Sequence, residues 1–380
     1  MTGLNTKEIH SFIFESNDFN KLLDVLKIKG YRTIGPTLKD ETIVYGELNS
    51  VEQLPVGWVD NQDAGSYRLT KRTDGTFFSY VVGPYSLKKF LFPSAMRLWQ
   101  AELNGSKFKF IAQNEEIQKF AFIGVRSCDI HALLIQDRVF LNGSYLDPHY
   151  KLRREHIFVL AVNCGNAAGT CFCNSIGTGP RATSGFDLAL TEILDNNSHN
   201  FLVEIGTELG SEILNSIPNR KANEMEKSIA DDITKKTIEK MGRNLNTSNI
   251  KELLYNNYEN PRWDDVAKRC LTCANCTMVC PTCFCSTIED LTDLKGDNTE
   301  RWRKWDSCFT MDFSYIHGGS IRSSTKSRYR QWITHKLATW IDQFGISGCV
   351  GCGRCITWCP VAIDITEEIQ AIRENNPVTK

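Results

Sequence analysis

Two copies of one cysteine pattern stand out in the C-terminal third of the chain. Of the fifteen cysteines in 380 residues, eight follow the spacing C-x2-C-x2-C-x3-C-P. They are Cys270, Cys273, Cys276 and Cys280 in the first copy, and Cys349, Cys352, Cys355 and Cys359 in the second. Three thiolates separated by two residues each can wrap one cuboidal [4Fe–4S] cluster, while the fourth ligates another cluster. The pattern therefore predicts two such clusters.

The same rule predicts which thiols share a cluster. The first cluster takes Cys270, Cys273, Cys276 and Cys359, and the second takes Cys349, Cys352, Cys355 and Cys280. The alternative is a pair of zinc sites or a set of buried free thiols. Zinc usually takes paired C-x2-C units separated by a longer loop, and two runs that end in Cys-Pro fit that pattern poorly.

Four further cysteines lie in the N-terminal part of the chain: Cys128, Cys164, Cys171 and Cys173. Four thiols are enough for a third [4Fe–4S] cluster, although their spacing is not standard. Cys171 and Cys173 lie in a glycine-rich stretch, where the backbone can approach a cofactor closely. A set of buried core thiols is the alternative, because free cysteine is among the most buried residue types.

The last three cysteines give a weaker signal. Cys283, Cys285 and Cys308 supply only three thiols, and we expect them to be structural or to lie beside the adjacent cluster. Arg126 and Asp129 flank Cys128, where they either tune a cluster or form an ion pair that holds a loop. The sequence predicts no catalytic residue of its own and contains no dinucleotide fingerprint or P-loop.

The elements that position these residues follow from apolar periodicity. Residues 17–28 predict a helix, and 42–45, 67–70 and 77–82 predict strands. Residues 120–125 and 157–162 are continuous apolar runs, typical of strands covered on both faces. Each runs into a cysteine, Cys128 or Cys164. Because sites form beyond the carboxyl ends of parallel strands, these two thiols are expected to be neighbours.

The fold class predicted is an α/β N-terminal domain followed by a mostly α-helical, ferredoxin-like dicluster domain with a large insertion. The boundaries are 1–205 for the α/β domain, 206–262 for a helical connector, 263–380 for the dicluster domain and 286–345 for the insertion. The insertion contains a set of basic residues: Arg301, Arg303, Lys304, Arg322, Lys326, Arg328, Arg330 and Lys336. They form a docking face, offset the negative charge of reduced clusters, or are simply a solvated surface.

Bulk properties restrict the class of protein. The formal net charge of −1 gives no electrostatic reason to expect nucleic acid as a partner. No apolar run approaches the roughly 20 residues that span a bilayer, and the first ten residues do not resemble a secretory signal. We therefore expect a cytoplasmic protein, in whose reducing environment cysteines are more often metal ligands than disulfides.

The sequence resembles the beta subunit of cytoplasmic NADP-linked nickel–iron hydrogenases, also called sulfhydrogenases, and a related subunit of anaerobic sulfite reductase. The resemblance covers nearly the whole chain. It is carried by seven stretches: 65–69 (GSYRL), 83–93 (GPYSLKKFLFP), 124–129 (GVRSCD), 170–180 (TCFCNSIGTGP), 280–285 (CPTCFC), 305–308 (WDSC) and 349–355 (CVGCGRC). The N-terminal stretches are the more discriminating ones, since many ferredoxin-like proteins share the dicluster motif.

The resemblance implies an electron-carrying subunit that works with a nickel–iron large subunit, a small cluster-bearing subunit, and a flavin subunit that binds NAD(P)H. It also implies an association with the reduction of sulfur or polysulfide. The length of the chain favours the hydrogenase type over the sulfite reductase type. A third hypothesis is a sulfur reductase in its own right that uses a thiol such as Cys128, and a fourth is a structural zinc protein.

Overall fold

The computed structural model describes residues 11–112, 118–195 and 198–375. The prediction on a secretory signal concerns the first ten residues, which lie outside these ranges. The described residues form sixteen strands: β1 (Ser11–Glu15), β2 (Arg32–Lys39), β3 (Thr42–Glu47), β4 (Trp58–Asp63), β5 (Ser66–Lys71), β6 (Ala95–Asn104), β7 (Lys107–Ala112), β8 (Phe120–Val125), β9 (Ile157–Val162), β10 (Leu188–Leu194), β11 (His199–Ile205), β12 (Arg220–Lys221), β13 (Ser286–Thr292), β14 (Asn298–Trp305), β15 (Tyr315–Ile316) and β16 (Gly319–Ser320).

Helices occur throughout the chain between these strands. The same ranges contain α1 (Phe19–Ile28), α2 (Lys88–Leu91), α3 (Ser127–Phe140), α4 (Pro148–Arg154), α5 (Cys173–Ile176), α6 (Glu208–Asn215), α7 (Glu224–Glu239), α8 (Ile250–Asn256), α9 (Arg262–Arg269), α10 (Asn275–Met278), α11 (Thr325–Thr334), α12 (Trp340–Phe344), α13 (Arg354–Thr357) and α14 (Ile365–Glu374). A π-helical turn, His335–Thr339, joins α11 to α12. Short 3₁₀ turns occur at Ser16–Asp18, Val51–Gln53 and Asp312–Ser314.

An eight-stranded sheet forms the N-terminal part, in the order β12-β1-β11-β10-β9-β8-β2-β3. The pairs among β10, β9, β8 and β2 are parallel, and the outer pairs are antiparallel. Helices α1 and α6 pack on one face through Leu22 and Ile213, and α3 and α4 cover the other face through Leu133 and Tyr150. Strands β8 and β9 are therefore buried on both faces, as their apolar sequences predict.

A second sheet, in the order β13-β14-β6-β7, joins distant parts of the sequence. Strands β13 and β14 belong to the predicted insertion, and β14 pairs with β6 so that Arg301 lies opposite Trp99. The C-terminal part is thus less purely helical than expected. Strands β13 and β14 were not predicted, although a short turn joins them; β6, the other partner of β14, lies far away in the sequence.

The C-terminal helices enclose the two cysteine motifs. Helices α9, α11 and α14 contribute Trp263, Ile333 and Ile369 to one apolar core. Phe172, from the loop between β9 and α5, is fully buried in that same core. The cysteine loop of the N-terminal part is therefore built into the C-terminal core.

The segment predicted as a connector, 206–262, is helical but is not a free linker. Strand β12 pairs with β1, and α7 packs on the large sheet near Ala230. Helix α8 joins the C-terminal core through Leu254. The division of the chain into three units remains a prediction. Within the described ranges, no helix has both the length and the apolar character needed to cross a bilayer.

The strand predicted over 77–82 is wrong. This segment is buried but irregular, because side chains replace the backbone partners that a strand would need. The amides of Phe77 and Phe78 donate to the Glu192 carboxylate, and the amide of Val81 donates to Asp60 Oδ1. Arg126 Nη2 donates to the carbonyls of Phe78 and Tyr80, at 2.9 and 2.6 Å.

Candidate iron–sulfur sites

The first site is a cavity whose lining includes all four thiols predicted for the first cluster. They are Cys270, Cys273, Cys276 and Cys359. Cys270 directly follows α9, which ends at Arg269. The next residues bend sharply, because Thr272 and Ala274 adopt positive φ angles of 51° and 65°. The two motifs thus meet at one cavity, although they lie far apart in sequence.

Hydrogen-bond donors surround this first site. The amide of Thr272 lies 3.4 Å from Cys270 Sγ, and the amide of Ile363 lies 3.3 Å from Cys359 Sγ. Tyr329 and Trp332 also line the cavity, and their buried Oη and Nε1 atoms have no hydrogen-bond partner among the described residues. Unpaired buried donors suit a group that carries many acceptors, such as the sulfides of a cluster.

The second site groups the thiols of the other predicted set: Cys349, Cys352, Cys355 and Cys280. Burial is the main cause that raises the pKa of the first three thiols, and the charge of Cys280 contributes to each shift. The amide of Gly351 lies 3.4 Å from Cys349 Sγ. Lys336 Nζ lies 3.2 Å from Cys280 Sγ. The charge of Cys280 thus acts on all three thiols of the other motif.

The four N-terminal cysteines form a third group of neighbouring thiols. Cys128 lies in the first turn of α3, after β8, and Cys164 follows β9, which pairs in parallel with β8. Burial is the first cause that raises the pKa of Cys173, to about 12, and the charge of Cys164 is the second. The charge of Cys173 likewise raises the pKa values of Cys128 and Cys171, after burial. All four side chains are buried.

The third group lies against the second site. A Cβ atom on Gly351, between Cys349 and Cys352, would lie 2.6 Å from Cys173 Cα. The amide of Phe172 donates to the Gly351 carbonyl at 2.8 Å. Only glycine permits this approach, because it lacks a Cβ atom and because Gly351 has a φ of 62°.

Two buried arginines accompany the third group. Arg126 is 1 % exposed, and its Nε and Nη1 atoms have no hydrogen-bond partner among the described residues. Its guanidinium lowers the pKa of Cys164, against the larger upward shift from burial. Arg354, at the start of α13, forms a two-pronged ion pair with Asp129 at 2.7 and 2.9 Å. Asp129 therefore pairs with Arg354, and Arg126 faces the thiols.

Arg354 was not singled out in the sequence. The available signal was its place inside the second motif, as the residue between Cys352-Gly353 and Cys355. A buried arginine within a cluster loop needs a buried anion, and Asp129 provides one.

The basic residues of the insertion differ in their surroundings. Most of them pair with carboxylates, as Arg301 does with Asp290 and Lys304 with Glu289. Lys336 is buried and contacts a predicted cluster ligand, Cys280. Charge compensation therefore suits Lys336, whereas a solvated surface describes Arg301 and Lys304 better.

The three remaining cysteines lie beside the first two sites. The thiols of Cys283 and Cys280 are within hydrogen-bonding reach of each other, as are those of Cys285 and Cys308. Within the described ranges, no three His, Cys, Asp or Glu side chains are close enough together to hold a single metal ion. At the first site the thiols line a cavity instead.

Comparison with known families decides the type of cofactor. Residues 269–363 match the model of the 4Fe-4S dicluster domain. The C-terminal part of this chain is a 4Fe-4S dicluster domain. This domain therefore binds iron–sulfur clusters, and the predicted fold class is confirmed at the level of a mixed α/β chain with a C-terminal dicluster domain.

A relative aligns with almost the whole chain. Over 370 residues, the chain is 28 % identical to sulfhydrogenase 2 subunit beta of Pyrococcus furiosus, and the alignment covers 97 % of this chain and 98 % of the relative. The resemblance predicted from the sequence is thereby confirmed, and together with the dicluster domain it supports a role in iron–sulfur electron transfer. No solved structure gives a significant match.

Proposed function

We propose that this chain relays electrons within a cytoplasmic, NADP-linked nickel–iron hydrogenase. Its partners are the nickel–iron large and small subunits and a flavin subunit that binds NAD(P)H, and its electrons reach an acceptor such as sulfur or polysulfide. The observation that carries this proposal is the row of three adjoining thiol sites, combined with the likeness to a sulfhydrogenase beta subunit. In this proposal the chain needs no catalytic residue, because clusters carry single electrons.

The ligand sets follow the geometry of the sites. Cys270, Cys273, Cys276 and Cys359 would hold the first [4Fe–4S] cluster, and Cys349, Cys352, Cys355 and Cys280 the second. The cavity lining supports the first set, and the electrostatic influence of Cys280 on the other three thiols supports the second. In both sets the amides that point at ligand sulfurs are of the kind that tunes a cluster's potential.

A third cluster would be held by Cys128, Cys164, Cys171 and Cys173. The strongest support is Arg126, because a fully buried guanidinium with two unpaired donors is costly unless an anion lies beside it. A [4Fe–4S] cluster with four thiolate ligands is such an anion. Four neutral core thiols would offer no anion to these two unpaired donors, and the carboxylates of Asp60 and Glu192 act on Arg126 only through their charge.

Of the three thiol sites, the first is the one with an exposed cysteine. Among the fifteen cysteines, all of which lie in the described ranges, Cys273 alone is exposed. The neighbouring Leu271 side chain is 61 % exposed, although leucine favours burial. A redox partner could therefore approach the first cluster here, whereas the third group lies in the protein interior.

The test uses the full chain, purified under anoxia both alone and with its accompanying subunits. Alone, it should take up electrons from a strong one-electron reductant and should not oxidise NAD(P)H. Together with the flavin and nickel–iron subunits, the same clusters should become reduced by NADPH or H₂. NADPH oxidation by the chain alone, or clusters that stay oxidised in the complex under H₂, would contradict the proposal.

A further inference from the structure

A pair of cysteines outside the three proposed ligand sets is held in contact by a β-hairpin. Cys285 immediately precedes β13, and Cys308 lies three residues after β14, its antiparallel partner. Ser286 pairs with Trp305, and the amide of Asp306 donates to the Cys285 carbonyl at 2.9 Å. The ladder thus brings the two thiols within hydrogen-bonding reach of each other.

Two buried lysines lie beside this pair. Lys336, on the π-helical turn, is 5 % exposed, and its charge acts on both Cys285 and Cys308. Lys88 is 4 % exposed, and its Nζ atom lies 3.9 Å from the centroid of the Trp305 ring. The hydrogen bond from Cys308, with the charge of Lys336, lowers the pKa of Cys285 below its ordinary value, against the effect of burial. Cationic surroundings of this kind favour a thiolate, which is the reactive form of cysteine.

The pair also adjoins both dicluster sites. Cys276, a predicted ligand of the first cluster, contributes to the raised pKa of Cys308. Lys336 reaches the second site, where its Nζ atom lies 3.2 Å from Cys280 Sγ. A π-helical turn within an α-helix also often marks a functional position.

We propose that Cys285 and Cys308 form a reversible dithiol–disulfide couple that exchanges two electrons with the neighbouring clusters. In the reductive direction the S–S bond breaks, two electrons arrive one at a time from the clusters, and two protons from solvent complete the two thiols. In the oxidative direction the S–S bond forms, and the electrons and protons leave by the same routes. This inference rests on the proposed function, because the clusters supply and accept the electrons.

The test maps the disulfide directly. The full chain, purified without oxygen together with its accompanying subunits, is poised at a series of potentials with mediator dyes. It is then quenched in acid, alkylated, digested and analysed by mass spectrometry. A peptide pair linked through Cys285 and Cys308 should dominate at high potential and fall to less than about a tenth at low potential. The ratio should change tenfold per about 30 mV, as for a two-electron couple.

Variants distinguish a redox couple of Cys285 and Cys308 from a role of either residue as a cluster ligand. Cys285→Ser and Cys308→Ser should abolish the linked peptide and leave iron per chain unchanged, while the matched variant Cys283→Ser should retain the link. Absence of the linked peptide at every potential overturns the inference, and wild-type protein suffices for that result. Loss of about four irons per chain in Cys308→Ser also overturns it, because Cys308 would then be a cluster ligand. A wild-type protein without iron would instead overturn the proposed function.

Discussion

The first and the third thiol sites differ in exposure, in local charge and in the way the chain builds them. At the first site Cys273 is exposed and aromatic side chains line the cavity. At the third, all four thiols are buried, and Arg126 together with the Arg354–Asp129 ion pair provides charge. A site at the surface can exchange electrons with a partner, whereas a buried one depends on internal neighbours.

The two sites also differ in how far apart their ligands lie along the sequence. Three of the four first-site thiols come from one short loop, so the spacing alone identifies them. The third-site thiols come from the ends of β8 and β9 and from a loop that reaches into the C-terminal core. Such a site forms only when the whole sheet and both parts of the chain have folded.

The largest effect is expected from a variant that disrupts only the third site. If the third group holds a cluster, Cys164→Ser should remove about four irons per chain, because each cubane holds four, and should leave the other two clusters in place. Iron analysis and EPR spectroscopy of the dithionite-reduced protein measure this. Cys285→Ser is the matched control and should lose no iron. Unchanged iron in Cys164→Ser would mean that the third group is a set of core thiols.

The next effect concerns the ion pair between the second and third sites. Arg354→Met leaves the buried Asp129 carboxylate without its partner, and should lower the free energy of unfolding by about 3–5 kcal/mol. The double variant Asp129→Asn/Arg354→Met removes the isolated charge and should recover much of that loss. Urea denaturation under anoxia compares the two. Equal stability of the single and double variants would show that the pair does not matter energetically.

A smaller effect tests the positive charge that Arg126 places beside the third site. Arg126→Met should lower the reduction potential of the third cluster by about 60–130 mV, which corresponds to one charge-assisted hydrogen bond of about 1.5–3 kcal/mol. The potential falls because reduction adds negative charge, which the guanidinium stabilises. An EPR-monitored redox titration measures the shift. Arg301→Met, which removes a partly exposed arginine paired with Asp290, should leave the potential unchanged, and an upward shift in Arg126→Met would contradict the stabilising role of the guanidinium.

The smallest effect concerns the surface of the first site. Leu271→Asp should raise the KM for a redox partner about tenfold, or about 1.4 kcal/mol, and should leave the iron content unchanged. Stopped-flow reduction of the clusters by the partner subunit measures it. Leu294→Asp alters an even more exposed leucine on the turn between β13 and β14 and should have no effect. Equal effects of both variants would place the docking surface elsewhere.

The parts of the fold that could be predicted are those with a local signal. Residues 120–125 and 157–162 are strands, as their uniformly apolar sequences predict, and the helix predicted from residue 17 begins at Phe19. The strand predicted for residues 77–82 was wrong because Glu192, Asp60 and Arg126 form the hydrogen bonds of that backbone, and no local pattern in the sequence reveals these contacts. The strands of the insertion were also not predicted, and no local pattern reveals the pairing of β14 with β6.

The candidate sites follow the same division. The spacing predicts two motif sets with crossed fourth ligands, and the structure brings Cys359 to the first cavity, while the ligand sets and the third cluster stay predictions. The partners Arg354 and Asp129 lie 225 positions apart, and only the folded chain shows that they meet. The contact between Cys285 and Cys308 depends likewise on the pairing of β13 with β14.

Iron and acid-labile sulfide per chain, measured on protein purified without oxygen, test the central claim most directly. Three clusters predict about twelve of each, since every cubane contains four irons and four sulfides. About eight of each would contradict the third cluster and with it the contrast between an exposed and a buried site. A colourless protein with neither would contradict the proposed electron relay as a whole.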